Sequence, residues 1–178
     1  PGAHAGKGRG NQFLDDLNQA NALIHVIDVS GSTTTEGEPV PPGTQDPGEI
    51  IKFLETELDM WYLGILEKGW EKFARQVQQE KLDVNKSIAK QLSGLRVTED
   101  IAKQATRNLS KQVQSWSEDD LILLAKELRK ATKPMLIAAN KIDIPGSKQN
   151  LEKLKEQFPD HIIIGCSAES ELALKEAA

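Results

Sequence analysis

The 178 residues carry a formal charge of −5, with 38% hydrophobic and 28% charged side chains, enough apolar material for one domain or one domain with an insertion. The acidic balance excludes a chain that is basic throughout and drawn to nucleic acid as a whole, and the single cysteine, Cys166, excludes an internal disulfide framework and suits a reducing, cytoplasmic setting. No apolar run approaches bilayer-spanning length and no secretory signal is present, so no membrane partner is expected, and a start at Pro1 rather than Met fits a chain that is part of a longer one.

Pro1 to Gly10 holds four glycines after Pro1 among few apolar side chains, which reads as a flexible loop. Gly6-Lys7-Gly8 is not a phosphate-binding loop. The leading glycine is one position too close, Gly8 stands where a magnesium-binding hydroxyl belongs, and no strand precedes it. Asn11 to Asn21 has helical spacing, with Asn11 as its cap. Ala22 to Val29 reads as a buried strand, apolar almost throughout as parallel strands are, with Asp28 at its end. Ser30 to Pro47, rich in Gly, Pro, Ser and Thr, reads as a loop or linker.

From Gly48 the apolar residues Ile51, Leu54, Leu58, Trp61, Ile65, Phe73 and Val77 recur every three or four positions, predicting a long amphipathic helix bent near Gly64 or Gly69. Further helices are expected over Val84–Leu92 and from Thr98, and together these form a helical hairpin or small bundle. Between Lys68 and Gln114 ten basic residues face five acidic ones, a local excess of positive charge in an acidic chain. Lys72, Arg75, Lys86, Lys90, Lys103 and Arg107 are therefore candidates to contact RNA phosphates, although a solvated helical face of mixed charge accounts for them as well.

Ser117 caps the next helix, whose buried face is Leu121, Leu124, Ala125 and Leu128. Met135 to Ala139 is a second apolar strand. It ends in Asn140-Lys-Ile-Asp143, and Pro145-Gly146 break the chain. A helix over Ser147–Phe158 leads to a third strand, His161 to Gly165, which ends in Cys166-Ser-Ala-Glu169, and a last helix covers Ser170–Ala178. The alternation from Ala22 onward is α/β: a three-stranded parallel sheet with crossover helices and a helical insertion.

Two strand ends then carry the chemistry. A guanine edge offers two parallel N–H donors, and a carboxylate such as Asp143 accepts both in a bidentate pair; adenine has no such donor pair. Asn140 can bridge the base and the neighbouring loops, and the aliphatic stem of Lys141 can lie over the base plane. Ser167, Ala168 and Glu169, at the end of the next strand, fall on the same rim, where a backbone N–H from Ala168 can meet the guanine carbonyl oxygen. Two matched loops in this order point to a guanine-nucleotide site binding GTP or GDP.

The sequence as a whole resembles the Obg family of GTPases. Gly2-Ala3, the glycines at 6, 8 and 10 and the following Asn11-x-Phe13-Leu14 are similar to the segment that follows that family's switch II aspartate motif. Phe13-Leu-Asp-Asp-Leu17, the strand Ala22–Asp28 and the ending Cys166-Ser-Ala-Glu-Ser-Glu-Leu-Ala-Leu174 resemble the Obg-like, YchF branch, and Gly69-Trp70-Glu-Lys-Phe73 resembles its archaeal members. The resemblance implies a partial P-loop-type G domain, with residues 1–46 as its first part, 47–114 as the helical insertion and 115–178 as the part that reads guanine. It makes Gly2, His4, Gly6, Gly8 and Gly10 a switch II-like loop. It further implies slow GTP hydrolysis, association with the ribosome and its RNA, and Mg²⁺ in the parent protein only.

The P-loop, switch I, the switch II Asp-x-x-Gly motif and the C-terminal TGS domain of the branch do not occur in these residues, and Arg9 stands where many relatives carry an aliphatic side chain. These residues are therefore expected to hydrolyse GTP poorly or not at all by themselves. In the family's strand order one edge of Ala22–Val29 would be unpaired here, which invites covering by Pro1–Gly10 or self-association. Two other readings stay open: an RNA- or ribosome-binding module in which the basic helices do the work, and a flavodoxin-like domain with coincidental loops.

Overall fold

The computed structural model describes residues 17, 19–110 and 112–177, which hold three strands and seven α-helices. The helix expected over Asn11–Asn21 lies mostly outside them, as does the glycine-rich start. The chain divides into two compact units, one built mainly on Thr56–Pro134 and the other on Ala22–Glu55 with Met135–Ala178.

The second unit is a parallel three-stranded sheet in the order β1 (Leu23–Asp28), β2 (Met135–Asn140), β3 (Ile162–Gly165). The register sets Asp28 beside Asn140 and Ala139 beside Gly165, so the carboxyl ends of all three strands share one rim. Ile27, Ile137, Ala139 and Ile163 point to one face of the sheet and are buried with Val29, with Ile51 from α1 (Pro47–Glu67) and with Leu151 and Leu154 of α6 (Ser147–Gln157). The opposite face departs from the expected burial on both sides. Ile24, Val26, Ile162 and Ile164 are 71%, 61%, 65% and 51% exposed, so these strands are half-buried although most of their residues are apolar. Among the described residues β1 pairs with β2 alone, leaving its other edge without a strand partner. The last helix, α7, starts two residues earlier than its spacing predicts and runs Ala168–Ala177.

The helical unit contains the later turns of α1, then α2 (Trp70–Gln79), α3 (Val84–Gln91), α4 (Glu99–Ala105) and α5 (Glu118–Thr132). The long amphipathic pattern breaks at Gly69, whose φ of 86° is left-handed, while Gly64 passes through α1 uninterrupted. Tyr62, Leu66, Val77, Ile88, Leu124 and Leu128 belong to one apolar core, and Trp70 stacks on Trp116 with ring centroids 5.5 Å apart. The aromatic stripe is therefore core packing. Two polar pairs are sealed within this unit: Arg129 Nε donates to Asp59 Oδ1 at 2.7 Å, and the Tyr62 hydroxyl meets Thr132 Oγ1 at 2.7 Å. Asp83, Thr98 and Ser117 cap α3, α4 and α5. Ser117 and Asp120 close a reciprocal capping box, as the Ser117 reading requires.

Candidate functional site

The rim of the sheet is stitched together by backbone before any side chain acts. Val29 N–H donates to Asn140 O at 3.0 Å, Cys166 N–H to Ala139 O at 2.9 Å, and Ile142 N–H to Cys166 O at 3.1 Å. The loops that follow the three strands are thereby held side by side. Asn140 adds a side-chain link: its Oδ1 accepts the Ala168 N–H at 2.9 Å. The N–H expected for a ligand carbonyl is thus engaged by Asn140, and this bond joins the Asn-Lys-x-Asp loop to the Ser-Ala loop.

Lys141 follows with φ at 66°, a left-handed conformation that a lysine adopts at a cost of about 1–2 kcal/mol. The turn sends its side chain back over the strand ends to β1. There Lys141 Nζ donates to Asp28 Oδ2 at 2.8 Å, Thr33 Oγ1 at 2.9 Å and Ser32 Oγ at 3.2 Å. Asp28 is saturated. Its Oδ1 also accepts the Ser30 N–H at 2.9 Å and the Ser30 hydroxyl at 2.5 Å, and its Oδ2 the Thr33 and Ser32 hydroxyls at 2.6 and 2.9 Å. Burial works against ionisation of this carboxyl, but the hydrogen bonds from Lys141, Ser30, Thr33 and Ser32 outweigh it and hold Asp28 far below the usual carboxylate range.

Asp143 differs in kind. It is exposed and, among the described residues, makes no hydrogen bond or ion pair, so both of its oxygens can accept from a ligand. Its loop is fixed around it by Ile144 N–H to Lys141 O at 3.2 Å and Ser147 N–H to Ile144 O at 3.1 Å. Ser167 donates from its hydroxyl to Ser170 Oγ at 2.8 Å, and Glu169 lies exposed in the first turn of α7.

The fold therefore brings Asn140, Lys141, Asp143, Ser167, Ala168 and Glu169 to adjoining loops on one rim. Gly2, His4, Gly6, Gly8 and Gly10 lie outside the described residues. Lys72, Arg75, Lys86, Lys90, Lys103 and Arg107 belong to the helical unit and are exposed, with Arg75 paired to Glu71 at 2.9 Å and Lys72 and Arg75 lining an open recess with Gln76 and Gln79. Sequence reasoning places Ser30, Ser32 and Thr33 in a linker and gives them no role, yet they complete the site. The available signal is the run Asp28-Val-Ser-Gly-Ser-Thr33, placed directly after a strand on the rim that carries Asn140. Among the described residues no three His, Cys, Asp or Glu side chains converge, and the Asp28 carboxylate is fully occupied by other donors. These residues do not fit a Mg²⁺ site.

A family model described as Obg-like GTPase YGR210-like, G4 motif-containing domain, matches residues 138–178, which include both loops. A protein of Methanocaldococcus jannaschii named as an uncharacterized GTP-binding protein is 53% identical over 177 residues, which are 99% of this chain and 44% of that protein. By sequence, the chain falls with the Obg-like GTP-binding proteins. A second relative, an uncharacterized GTP-binding protein of Schizosaccharomyces pombe, is 34% identical over 180 residues, covering 100% of this chain and 44% of its own length. The crystal structure of a GTP binding protein from Pyrococcus horikoshii superimposes with a TM-score of 0.83 at 45% identity, over 93% of this chain and 48% of that one. The chain thus spans less than half the length of these GTP-binding proteins.

Proposed function

We propose that this chain is the guanine-reading part of a longer GTP-binding protein of the YchF branch. The observation that carries this reading is the Asp143 carboxylate. It stands exposed and unpaired among the described residues, in one of the two loops that Asn140 ties together. A carboxylate held there is the complement of the two N–H donors of guanine, and removing it strands both donors. The names of the relatives support the same ligand class. On this reading residues 1–46 and 115–178 are parts of one G domain around an insertion at 47–114. GTP hydrolysis, Mg²⁺ and attachment to ribosomal RNA through the exposed Lys72, Arg75, Lys86, Lys90, Lys103 and Arg107 belong to the longer protein.

The test exchanges donor for acceptor. Asp143→Asn keeps one acceptor oxygen and turns the other position into a donor, which suits xanthine, whose second ring carbonyl replaces the guanine amino group. Titrations followed by NMR, which read weak as well as tight binding, are expected to show the unsubstituted chain preferring GDP to xanthosine diphosphate. The variant is expected to lose about 100-fold for GDP and to reverse that preference. Equal loss for both nucleotides, or GDP and ADP bound alike by the unsubstituted chain, counts against the reading.

A further inference from the structure

The ammonium of Lys141 lies at the far end of a side chain whose backbone is strained and whose charge is fully engaged on a different strand. A lysine that served only as surface charge would need neither feature. The left-handed turn at Lys141 aims the side chain across the strand ends, and Asp28, Ser32 and Thr33 close on its tip with three contacts of 2.8 to 3.2 Å. A four-carbon stem fixed at both ends has lost its rotamer freedom before any ligand arrives. That stem is apolar, it lies between the Asp28 and Asn140 loops, and Asn140 and Asp143 flank it in sequence. The ammonium is also kept away from the base edge, where it would compete with guanine N–H donors for the Asp143 carboxylate.

We propose that Asp28, with Ser30, Ser32 and Thr33, is a positioning residue that pins the Lys141 ammonium so that the lysine stem forms a preset platform for the face of the base. The inference rests on the guanine-reading proposal above and assigns a role in it to a loop that follows a different strand. A platform touches the π-face, which all bases share, whereas Asp143 reads the edge. The two contributions are therefore separable: loss of the cradle weakens every nucleotide by one factor, and loss of the edge reader changes the ranking.

The experiment is a double-substitution cycle on the full chain, with GDP and inosine diphosphate titrated by NMR. Asp28→Asn is expected to weaken both nucleotides about tenfold and to leave their ratio unchanged. Lys141→Met keeps a stem of similar length without the charge, and in that background Asp28→Asn is expected to change affinity less than about twofold. Thr33→Val, a milder opening of the cradle, is expected to show the same pattern and serves if Asp28→Asn does not fold. An equal loss with Lys141 intact and in the Lys141→Met background means that Asp28 merely shapes its own loop, and it overturns the proposal. So does a change in the ratio of GDP to inosine diphosphate. If the unsubstituted chain binds no GDP, or Asp143→Asn fails to switch preference, the guanine reading falls and this inference with it. If that switch succeeds and the cycle shows no coupling, this inference alone falls.

Discussion

His25 shows how one residue can carry a pH dependence away from the rim. It sits in β1, and its buried Nδ1 has no hydrogen-bond partner among the described residues. Burial lowers its pKa below the ordinary histidine value; the Glu55 carboxylate works the other way, and His161 adds to the lowering. His161 Nε2 lies 3.3 Å from Glu55 Oε1, so one carboxylate serves two imidazoles in the same unit. A folded-state pKa below the unfolded value means that the unfolded chain binds the proton more readily. The associated stability is present above about pH 6.5, the unfolded value, and is lost as pH falls from there towards the folded value. Urea unfolding at about pH 7.5, 6.5 and 5.5 is expected to show the sheet unit weakening on acidification, and His25→Gln is expected to flatten that decline. An unchanged slope in the variant would show that the decline does not originate at His25. Asp28 shares the sign but not the window: its depressed pKa keeps it ionised well into acid, so the cradle outlasts the His25 contribution as pH falls.

At the scale of elements, the loop between β1 and α1 is the least legible part of the chain. Its Ser, Thr, Gly and Pro content predicts turns, which it has, but turn chemistry says nothing about tertiary partners. The order of the loop comes from backbone contacts: Gly43 N–H donates to Ser30 O at 2.8 Å, and Gln45 N–H to Gly31 O at 3.1 Å. Gly31 is the point of closest approach. Its φ is 64°, and a Cβ there would stand 2.3 Å from Gln45 O. Gly31→Ala is expected to displace Gln45, disturb Ser30 and Ser32, and cost about 1–3 kcal/mol, read as lost hydrogen-exchange protection across residues 29–46. Protection equal to that of the parent chain would show that the loop can move without loss. Asn140-Lys-Ile-Asp143 stands out in the sequence because the motif is a set of residue types at fixed spacing after a strand. Ser117 is legible for the same local reason, since a cap and its Asp120 partner lie three residues apart. The cradle is not, because Asp28 and Lys141 meet across 113 residues and only strand register brings them together.

For the whole molecule, the sheet separates what apolar composition predicts from what packing delivers. Strands such as Leu23–Asp28 and Ile162–Gly165 read as buried on both faces because nearly every residue is apolar, and sequence alone cannot say which layers are present to cover them. The open face carries Ile24, Val26, Ile162 and Ile164, and the closed face Ile27, Ile137 and Ile163. Burial, not residue type, therefore determines the cost of substitution. Ile137→Ala removes a fully buried side chain and is expected to cost about 2–5 kcal/mol. Val26→Lys and Ile164→Lys place their charges in water, and each is expected to change stability by less than about 1 kcal/mol. Hydrogen exchange on β2, the central strand, is the suitable measure because it reports on the sheet unit without requiring the whole chain to unfold in one step. A loss above about 2 kcal/mol for Val26→Lys would mean that the face is covered in solution. Neutral behaviour at Val26 and Ile164 beside a large loss at Ile137 would mean that the sheet stands on one packed layer, with the rim that holds Asn140 and Asp143 supported from the α1 and α6 side alone.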